Sequence, residues 1–198
     1  MKKPILTNLD INAYALSQGM LMMAHTMLTV YFTMFMTDYL KIPALMIGTA
    51  MLVVKTIDFL INLCAGPIVE KTNMKHGKYV SWIRILRFTL FAGLIILMSD
   101  TTWLVKSPLI RILIVCVGYC LFHGSMDFNV TVRGALVPKM AGANMEDRRR
   151  LTTRQVQVGA ATSIIASAIT LPIITWFAPY FGESAGYTIT TAIYATGF

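Results

Sequence analysis

Hydrophobic residues run along this chain in long blocks that are separated by short polar segments. Residues 11–37 and 155–182 contain no Lys, Arg, Asp or Glu. A helix needs roughly 20 predominantly apolar residues to cross a hydrocarbon core about 30 Å thick, and both blocks are long enough. The pattern predicts an all-α, multi-pass integral membrane protein in the lipid bilayer, with helices at about 12–37, 43–69, 80–98, 108–138, 154–180 and 187–198.

The last of these predicted helices, 187–198, is too short to cross a bilayer. We therefore interpret residues 1–198 as one N-terminal transmembrane bundle with an incomplete sixth helix, from which a C-terminal bundle is missing. An alternative interpretation is a truncated or degenerate membrane protein that transports nothing and has an interaction role. A downstream reading frame that encodes six further spans would contradict truncation.

The composition agrees with a membrane protein. Hydrophobic residues make up 56% of the chain and charged residues 13%, whereas soluble domains average about 45–50% and 25%. This hydrophobic content excludes an intrinsically disordered chain, and three cysteines do not suit a disulfide scaffold. Neither a Gly-rich phosphate loop nor a nucleophile–base pair stands out, so the sequence does not predict an enzyme.

The net charge of +8 would suggest a nucleic-acid partner in a soluble protein, but here the positions of the bases give another explanation. Short basic loops remain in the cytoplasm, and the bases are concentrated in alternate loops. We predict a cytoplasmic N-terminus, an inner (plasma) membrane location and no nucleic-acid partner. The bases on the predicted inner side are Lys2, Lys3, Lys71, Lys75, Lys78, Lys139, Arg148, Arg149, Arg150 and Arg154, and those on the outer side are Lys41, Lys106 and Arg111.

Charged residues inside the second predicted span are candidates for function. Lys55, Asp58 and Asn62 are spaced three and four apart, which places them on one helix face. Charges at this depth cost several kcal/mol, so the face is expected to meet a cavity or another polar helix. Two interpretations remain open: an internal ion pair that fixes packing, or a cation or proton site, because a hard cation prefers carboxylate and carbonyl oxygens.

The fourth predicted span carries two polar pairs on different faces, His123 with Asp127 and Asn129 with Arg133. Asp127 could complete a site with Asp58, or it could form an ion pair with Arg133 or with a basic residue of the second span.

Two other groups of polar residues have simpler explanations. His25 in the first span could be a hydrogen-bonded packing residue, although the titration range of histidine also suits proton coupling. Arg84 and Arg87 are expected to extend to the membrane interface from the start of the third span.

Several segments resemble the glycoside–pentoside–hexuronide:cation symporters, the melibiose-permease-like members of the major facilitator superfamily. The segment IGTAMLVVKTID, residues 47–58, resembles the second helix of that family. Four further segments fit the family in order and spacing: Thr37-Asp38, the loop at 70–78 followed by Trp82, the helix end GALVP at 134–138, and EDRRRL at 146–151.

The resemblance implies a fold and a function. Family members have twelve helices in two six-helix bundles and bind substrate between the bundles, with access alternating from side to side. This chain corresponds to the first bundle. The implied function is secondary active transport, as cation- or proton-coupled symport of a sugar or glycoside-like solute.

The resemblance also implies a cation site in the second helix. Asp58 matches the first acid of that site, whereas Ile61 stands in place of an Asn and Asn62 in place of a second Asp. Lys55 matches a basic residue one turn earlier, and its charge would compete with the cation. Asp127 aligns near a hydroxyl that assists the cation. We predict Asp58, Asn62 and Asp127 as cation-binding residues, with Na⁺ or H⁺ as coupling ion and no other metal or cofactor.

The sugar-binding positions of the family are mostly replaced. Met22 and Val130 stand where the family has acids that bind sugar hydroxyls, and Gly134 stands where an aromatic residue stacks on the sugar. Val156 replaces a base of the fifth helix, although Arg154 is close to it, and Arg154 could hold an inner gate or an anionic group. Retention of Arg133 suits a hexuronide. The predicted substrate or cavity residues are Lys55, His25, Met22, Asn129, Arg133 and Arg154.

Overall fold

A computed structural model describes residues 6–74 and 77–197. Lys2, Lys3, Lys75, His76 and Phe198, which the sequence analysis used, lie outside this range. The described residues form six α-helices: α1 (Asn8–Met34), α2 (Ala44–Lys71), α3 (Lys78–Leu97), α4 (Pro108–Ala141), α5 (Met145–Phe181) and α6 (Glu183–Ala195), with a π-helical turn at Phe35–Tyr39 directly after α1.

Five of these helices are long and apolar enough to cross a membrane, namely α1 with its π-turn and α2 to α5. This confirms the all-α, multi-pass membrane fold that the hydrophobic blocks predict. The helix α6 has 13 residues. The direction in which the N-terminus faces stays a prediction.

Two helices begin earlier than their hydrophobic blocks, because polar residues cap them. The helix α5 begins at Met145, not near 154, since the Asn144 side chain accepts a hydrogen bond from the backbone N–H of Glu146 at 3.1 Å. Likewise α1 begins at Asn8, because Thr7 and Asp10 form a reciprocal capping box. The run of arginines after α4 is therefore helical, and only residues 142–144 connect α4 with α5.

The helices pack in a fixed order, with α1 and α6 on α5 and with α2 and α3 on α4. Glycines set the closest approaches. A methyl group added at Gly93 of α3 would lie 2.7 Å from the backbone nitrogen of Phe122, and one added at Gly118 of α4 would lie 2.9 Å from that of Leu97. Gly19 similarly brings α1 against Val158 of α5. These contacts determine which faces of α1 and α4 look into the bundle.

One end of the bundle collects the bases, and we call it the basic end. There Ile11, Val137, Ala141 and Leu151 form a small apolar cluster that joins the start of α1, the end of α4 and the start of α5. Lys71 ends α2 and Lys78 begins α3, while the other described bases of the predicted inner side lie at the end of α4 and the start of α5. Lys139 of α4 lies 5.0 Å from the ring centroid of Tyr79, which brings the start of α3 to the same end. The charge asymmetry of the sequence therefore corresponds to two ends of one folded bundle.

The opposite end is held by an aromatic cluster and by a tight turn. Tyr39 in the π-turn stacks near Tyr187 of α6, with ring centroids 5.0 Å apart, and its hydroxyl donates to Glu183 at 3.2 Å. The following turn places Lys41 at φ 53°, a left-handed conformation, before α2 begins. Arg111 of α4 donates to the carbonyl of Leu40 at 2.8 Å, which ties the turn to the bundle.

Candidate functional site

A cluster of polar side chains lies between α1, α2 and α4. On α2, Lys55 Nζ lies 3.6 Å from Asp58 Oδ2, and the two side chains are 57% and 19% exposed. The same ammonium lies 5.1 Å from the ring centroid of Tyr119 on α4. The face of α2 that the residue spacing predicts therefore points at α4. Lys55 has a carboxylate partner on α2, Asp58, and an aromatic partner on α4, Tyr119.

Two histidines complete one side of this cluster. The rings of His25 on α1 and His123 on α4 are 5.9 Å apart, and His123 stacks on Tyr119 at 4.0 Å. Both imidazoles are electrostatic neighbours of Lys55. In the sequence His25 and His123 stand out as polar residues of separate spans, and the structure brings them together. Tyr119 was not predicted, although its spacing of four from His123 places both on one face.

The carboxylates form the other side of the cluster. Asp127 on α4 has Asn62 as a hydrogen-bonding neighbour and Asp58 and Lys55 as electrostatic neighbours. Asp58 Oδ1 and Asp127 Oδ2 are each buried without a hydrogen-bond partner in the part of the chain that the structure describes. A buried acceptor without a partner is costly, and carboxylate oxygens are what a hard cation or a proton would satisfy.

The second polar pair of α4 belongs to another place, as its helix face predicts. Arg133 is buried, its Nε donates to Asn129 Oδ1 at 2.6 Å, and its Nη1 donates to Ser17 Oγ on α1 at 2.9 Å. Its guanidinium also lies 5.7 Å from the ring of Tyr14. The interpretation in which Asp127 pairs with Arg133 is therefore wrong, and Asp127 belongs with the second-span residues.

Arg133 separates two cavities. The larger one, which we call the basic-end cavity, has a volume of about 890 Å³ between α1, α4 and α5, and the smaller one, the α3 cavity, has about 240 Å³. Val130 and Gly134, the positions that the resemblance assigns to sugar recognition, both line the basic-end cavity. The residues lining it are Tyr14, Gln18, Val130, Arg133, Gly134, Val137, Pro138, Met145, Glu146, Arg148, Arg149, Thr152 and Gln155.

Two residues that line these cavities, Gln18 and Arg87, were not predicted as cavity residues from the sequence. Gln18 is buried, and its Oε1 has no hydrogen-bond partner among the described residues. An amide in the first apolar block was the signal that could have identified it. Arg87 was expected to extend to the membrane interface, but the structure places it on the α3 cavity with Arg133 and Asn129. The Arg87 side chain is exposed, and its extension to the membrane interface stays a prediction.

Met22 and Arg154 lie apart from both groups. Met22 packs against α5, where its Cγ is 3.4 Å from the position of a Cβ at Gly159. Arg154 donates from Nε to Asn12 Oδ1 at 2.9 Å, in a separate cleft of about 590 Å³ at the basic end, where α1 and α5 meet. Among the described residues no hydrogen bond or ion pair joins Arg154 to Asp58 or Asp127. The roles of Met22 and Arg154 in substrate binding or gating stay predictions.

Comparison with known proteins agrees with this architecture. The profile of a family described as "MFS/sugar transport protein" matches residues 13–196, which is nearly the whole chain. The chain belongs to this MFS sugar transport family. The resemblance to sugar symporters of the major facilitator superfamily is thereby confirmed at the level of the family, and the family consists of transporters rather than enzymes.

A curated relative of this MFS chain is the "Isoprimeverose transporter" of Lactiplantibacillus pentosus, which is 23% identical over 168 residues. The alignment covers 83% of this chain and 34% of the relative, so the chain spans about a third of the length of the relative that it matches. No solved structure matches the chain. Among residues 6–74 and 77–197, no group of three or more His, Cys, Asp or Glu side chains is placed to hold a metal ion.

Proposed function

We propose that this chain is the N-terminal bundle of a secondary active transporter that moves a sugar-like solute by alternating access, coupled to Na⁺ or H⁺. Its membership of the MFS sugar transport family supports transport, and the name of the isoprimeverose transporter supports a glycoside-like solute. A C-terminal bundle would supply the second half of the substrate cavity. The proposed location is the plasma (inner) membrane, with the N-terminus in the cytoplasm.

One observation carries the proposal of coupling, namely the two buried carboxylate oxygens without partners, Asp58 Oδ1 and Asp127 Oδ2. Asn62 beside Asp127 adds an amide oxygen to the same place. Two carboxylates and an amide are few ligands for a divalent ion, but they suit a monovalent cation or a single shared proton. The coupling ion in this proposal is cargo that the site takes up and releases in each cycle.

Lys55 gives this site a means of release. Its ammonium lies 3.6 Å from one Asp58 oxygen while the other oxygen has no partner. A cation that binds Asp58 must therefore share the carboxylate with Lys55, and the ammonium neutralises the acid again when the cation leaves. One interpretation of the sequence was an internal ion pair of Lys55 and Asp58 that fixes packing. In this proposal the same ion pair is the state of the site without a bound cation.

The basic-end cavity is the proposed solute site. Its volume of about 890 Å³ lies in the range of roughly 300–1,000 Å³ that small-molecule pockets occupy. Polar groups from α1 and α4 converge on it, and the aligned sugar positions line it.

The test is uptake by the protein expressed from its full reading frame in a host that lacks glycoside transporters. A panel of labelled glycosides is offered at pH 7 with and without a Na⁺ gradient and with and without a proton gradient. We expect gradient-driven accumulation by the wild-type protein, and gradient-independent equilibration by Asp58→Asn and Asp127→Asn. Asp100→Asn, in the loop after α3, is the matched control and should keep the gradient dependence.

Two outcomes would contradict the proposal in different ways. Equal, gradient-independent uptake by wild type and by both variants would remove Asp58 and Asp127 from coupling. No uptake of any glycoside by a wild-type protein that is present in the membrane would contradict transport itself and would favour the non-transporting alternative.

A further inference from the structure

The cleft of about 590 Å³ where α1 and α5 meet, which we call the α1–α5 cleft, is separate from the proposed solute site. It is lined by Arg149, Arg150 and Arg154 and otherwise by uncharged residues in the part of the chain that the structure describes. Arg149 is the one described residue that also lines the basic-end cavity. The cleft is therefore a second basic site, on another face of α5, that the proposed function does not use.

Side-chain amides of α1 hold two of these arginines in the cleft. Arg150 Nη2 donates to Asn8 Oδ1 at 2.6 Å, and Arg154 Nε donates to Asn12 Oδ1 at 2.9 Å. The two amides are four residues apart on α1 and the two arginines are four residues apart on α5, so the second contact lies one helical turn after the first. The two guanidiniums therefore have defined positions, side by side, between the helices.

The positive charge of the cleft is only partly neutralised. Arg149 and Arg150 each have a carboxylate partner in the first turn of α5. Arg154 has only two amide oxygens, and among the described residues no carboxylate lies within ion-pair distance of it. Like charges four residues apart on a helix repel each other, so an anion beside both arginines would relieve the repulsion. Phosphate suits such a place, because its oxygens match the planar fork of a guanidinium.

The cleft lies where both helices lose their charged residues. Arg154 is followed by residues 155–182 and Asp10 by residues 11–37, which contain no Lys, Arg, Asp or Glu. The Asp10 carboxylate accepts hydrogen bonds from Thr7 in the capping box and is not part of the cleft lining. The arginines are therefore expected at the boundary of the hydrocarbon core, which is the level of the lipid headgroups.

An exposed apolar strip continues from the cleft along both helices. Leu16 of α1 lies one turn after Asn12 and is 53% exposed. On α5, Ala161 and Ile164 lie one and two turns after Gln157, and both are exposed. Residues four and seven apart share a helix face, so the strip lies on the faces that line the cleft. A ligand whose anion fills the cleft therefore has an apolar surface for a hydrocarbon chain next to it.

We propose that the α1–α5 cleft binds the headgroup of an anionic phospholipid. Arg150 and Arg154 donate hydrogen bonds to the phosphate, and an acyl chain lies along the strip formed by Leu16, Ala161 and Ile164. The excess positive charge of the cleft disfavours a headgroup that also carries an ammonium group. The ligand in this inference belongs to the membrane, so the inference does not rest on the proposed solute or coupling ion.

The experiment compares lipids with the same acyl chains and different headgroups. The protein, expressed from its full reading frame, is purified in detergent and freed of lipid. The lipid probes are dioleoyl phosphatidylglycerol, which is anionic, and dioleoyl phosphatidylcholine, which is zwitterionic. Glycerophosphoglycerol and inorganic phosphate supply the same phosphate chemistry without acyl chains. Binding is measured as the rise in Tm with the mole fraction of lipid in mixed micelles, and native mass spectrometry counts the lipids that stay bound.

Four variants separate the headgroup, the acyl chain and the general charge of the basic end. Arg154→Gln removes the guanidinium that has no carboxylate partner, and Arg154→Lys keeps its charge without the planar geometry. Ile164→Ser interrupts the apolar strip and leaves the arginines unchanged. Lys71→Gln, at an exposed position at the end of α2, is the matched control, because it removes one positive charge outside the cleft.

We expect the wild type to bind phosphatidylglycerol at least about tenfold more tightly than phosphatidylcholine, since loss of a charge-assisted hydrogen bond costs about that factor. Arg154→Gln should weaken binding of phosphatidylglycerol about tenfold and remove most of the preference, and Arg154→Lys should keep part of it. Ile164→Ser should weaken both lipids several-fold and keep the preference. Lys71→Gln should change binding by less than about twofold. Arg154→Gln should not lower the Tm of the lipid-free protein, because it removes a like-charge neighbour of Arg150.

Three results would overturn the inference. The first is equal binding of the two lipids by the wild type. The second is equal binding of phosphatidylglycerol by Arg154→Gln and Lys71→Gln, which would indicate a diffuse surface charge instead of a site. The third is protection by glycerophosphoglycerol or inorganic phosphate equal to that by phosphatidylglycerol, which would indicate a site for a soluble phosphate. Lipid binding is measured without solute or ion gradient, so its failure leaves the proposed function intact, and absence of glycoside uptake leaves this inference intact.

Discussion

The close approach of α3 to α4 predicts that a single methyl group at Gly93 destabilises the bundle. In Gly93→Ala the new Cβ would lie 2.7 Å from the backbone nitrogen of Phe122 and 3.1 Å from the carbonyl carbon of Leu121. Both neighbours are backbone atoms of α4 and cannot rotate away. To reach an ordinary contact of 3.4 Å the two helices must separate locally by about 0.7 Å.

That separation has a calculable cost. A gap of roughly 0.5–1 Å forfeits a quarter to a half of the dispersion energy of each contact that it opens, and buried leucines at 90, 94 and 97 pack on α4 around Gly93. Overpacking of this kind costs about 1–3 kcal/mol. At about 2–4 °C per kcal/mol for a chain of this size, the Tm should fall by about 2–12 °C.

The assay is thermal unfolding of the purified protein in detergent, followed by tryptophan fluorescence. Gly48→Ala is the matched control, because a Cβ at Gly48 of α2 meets nothing within 4 Å and the better helix propensity of Ala should leave Tm unchanged or higher. A Tm for Gly93→Ala that equals or exceeds that of Gly48→Ala would refute the close-contact reasoning.

Two further predictions concern the ends of the bundle. Burial of Asp100 raises its pKa, but the carboxylate accepts hydrogen bonds from the hydroxyl and the backbone N–H of Thr102. These hydrogen bonds hold the pKa of Asp100 below its ordinary 3.8. The stability that this carboxylate contributes is present above pH 3.8 and is lost as the pH falls through the lowered pKa. Between pH 6 and pH 3 the Tm of the wild type should therefore fall further than the Tm of Asp100→Asn. Parallel curves of Tm against pH would contradict this prediction. The predicted orientation can be tested with single cysteines in a background without native cysteines, at Met145, which is 72% exposed, and at Trp103, which is 81% exposed. An impermeant thiol reagent should label Met145→Cys from the cytoplasmic side and Trp103→Cys from the outside. The reverse pattern would overturn the predicted orientation.

The sequence was sufficient to predict the spans, because hydropathy over about 20 residues measures directly what a bilayer selects. It was not sufficient to predict where α5 begins. The segment from Met145 to Arg154 is too charged for the hydrocarbon core, yet it is helical, because Asn144 caps it and acidic residues occupy its first turn. Hydropathy indicates which part of a helix lies in the hydrocarbon core, but not where the helix begins or ends.

The candidate site was predictable in part for a similar reason. The spacing of Lys55, Asp58 and Asn62 gave their common face, since helix geometry alone fixes it. The partner of that face was not fixed, because the rotation of α4 about its own axis depends on long-range contacts such as Gly118 against α3. For the same reason the sequence left open whether Asp127 joins Asp58 or Arg133.

The continuity of α5 gives the basic end the properties of a lever. Between residues 145 and 171 the helix contains no proline, and its first proline is Pro172 near the opposite end. At 1.5 Å per residue this uninterrupted arm is roughly 40 Å long. A pivot of roughly 8° at its far end would sweep the arginine-bearing tip through roughly 5 Å, the height of one helical turn. A small rotation near Pro172 would therefore become a large displacement at the mouth of the basic-end cavity, without bending α5 along this arm.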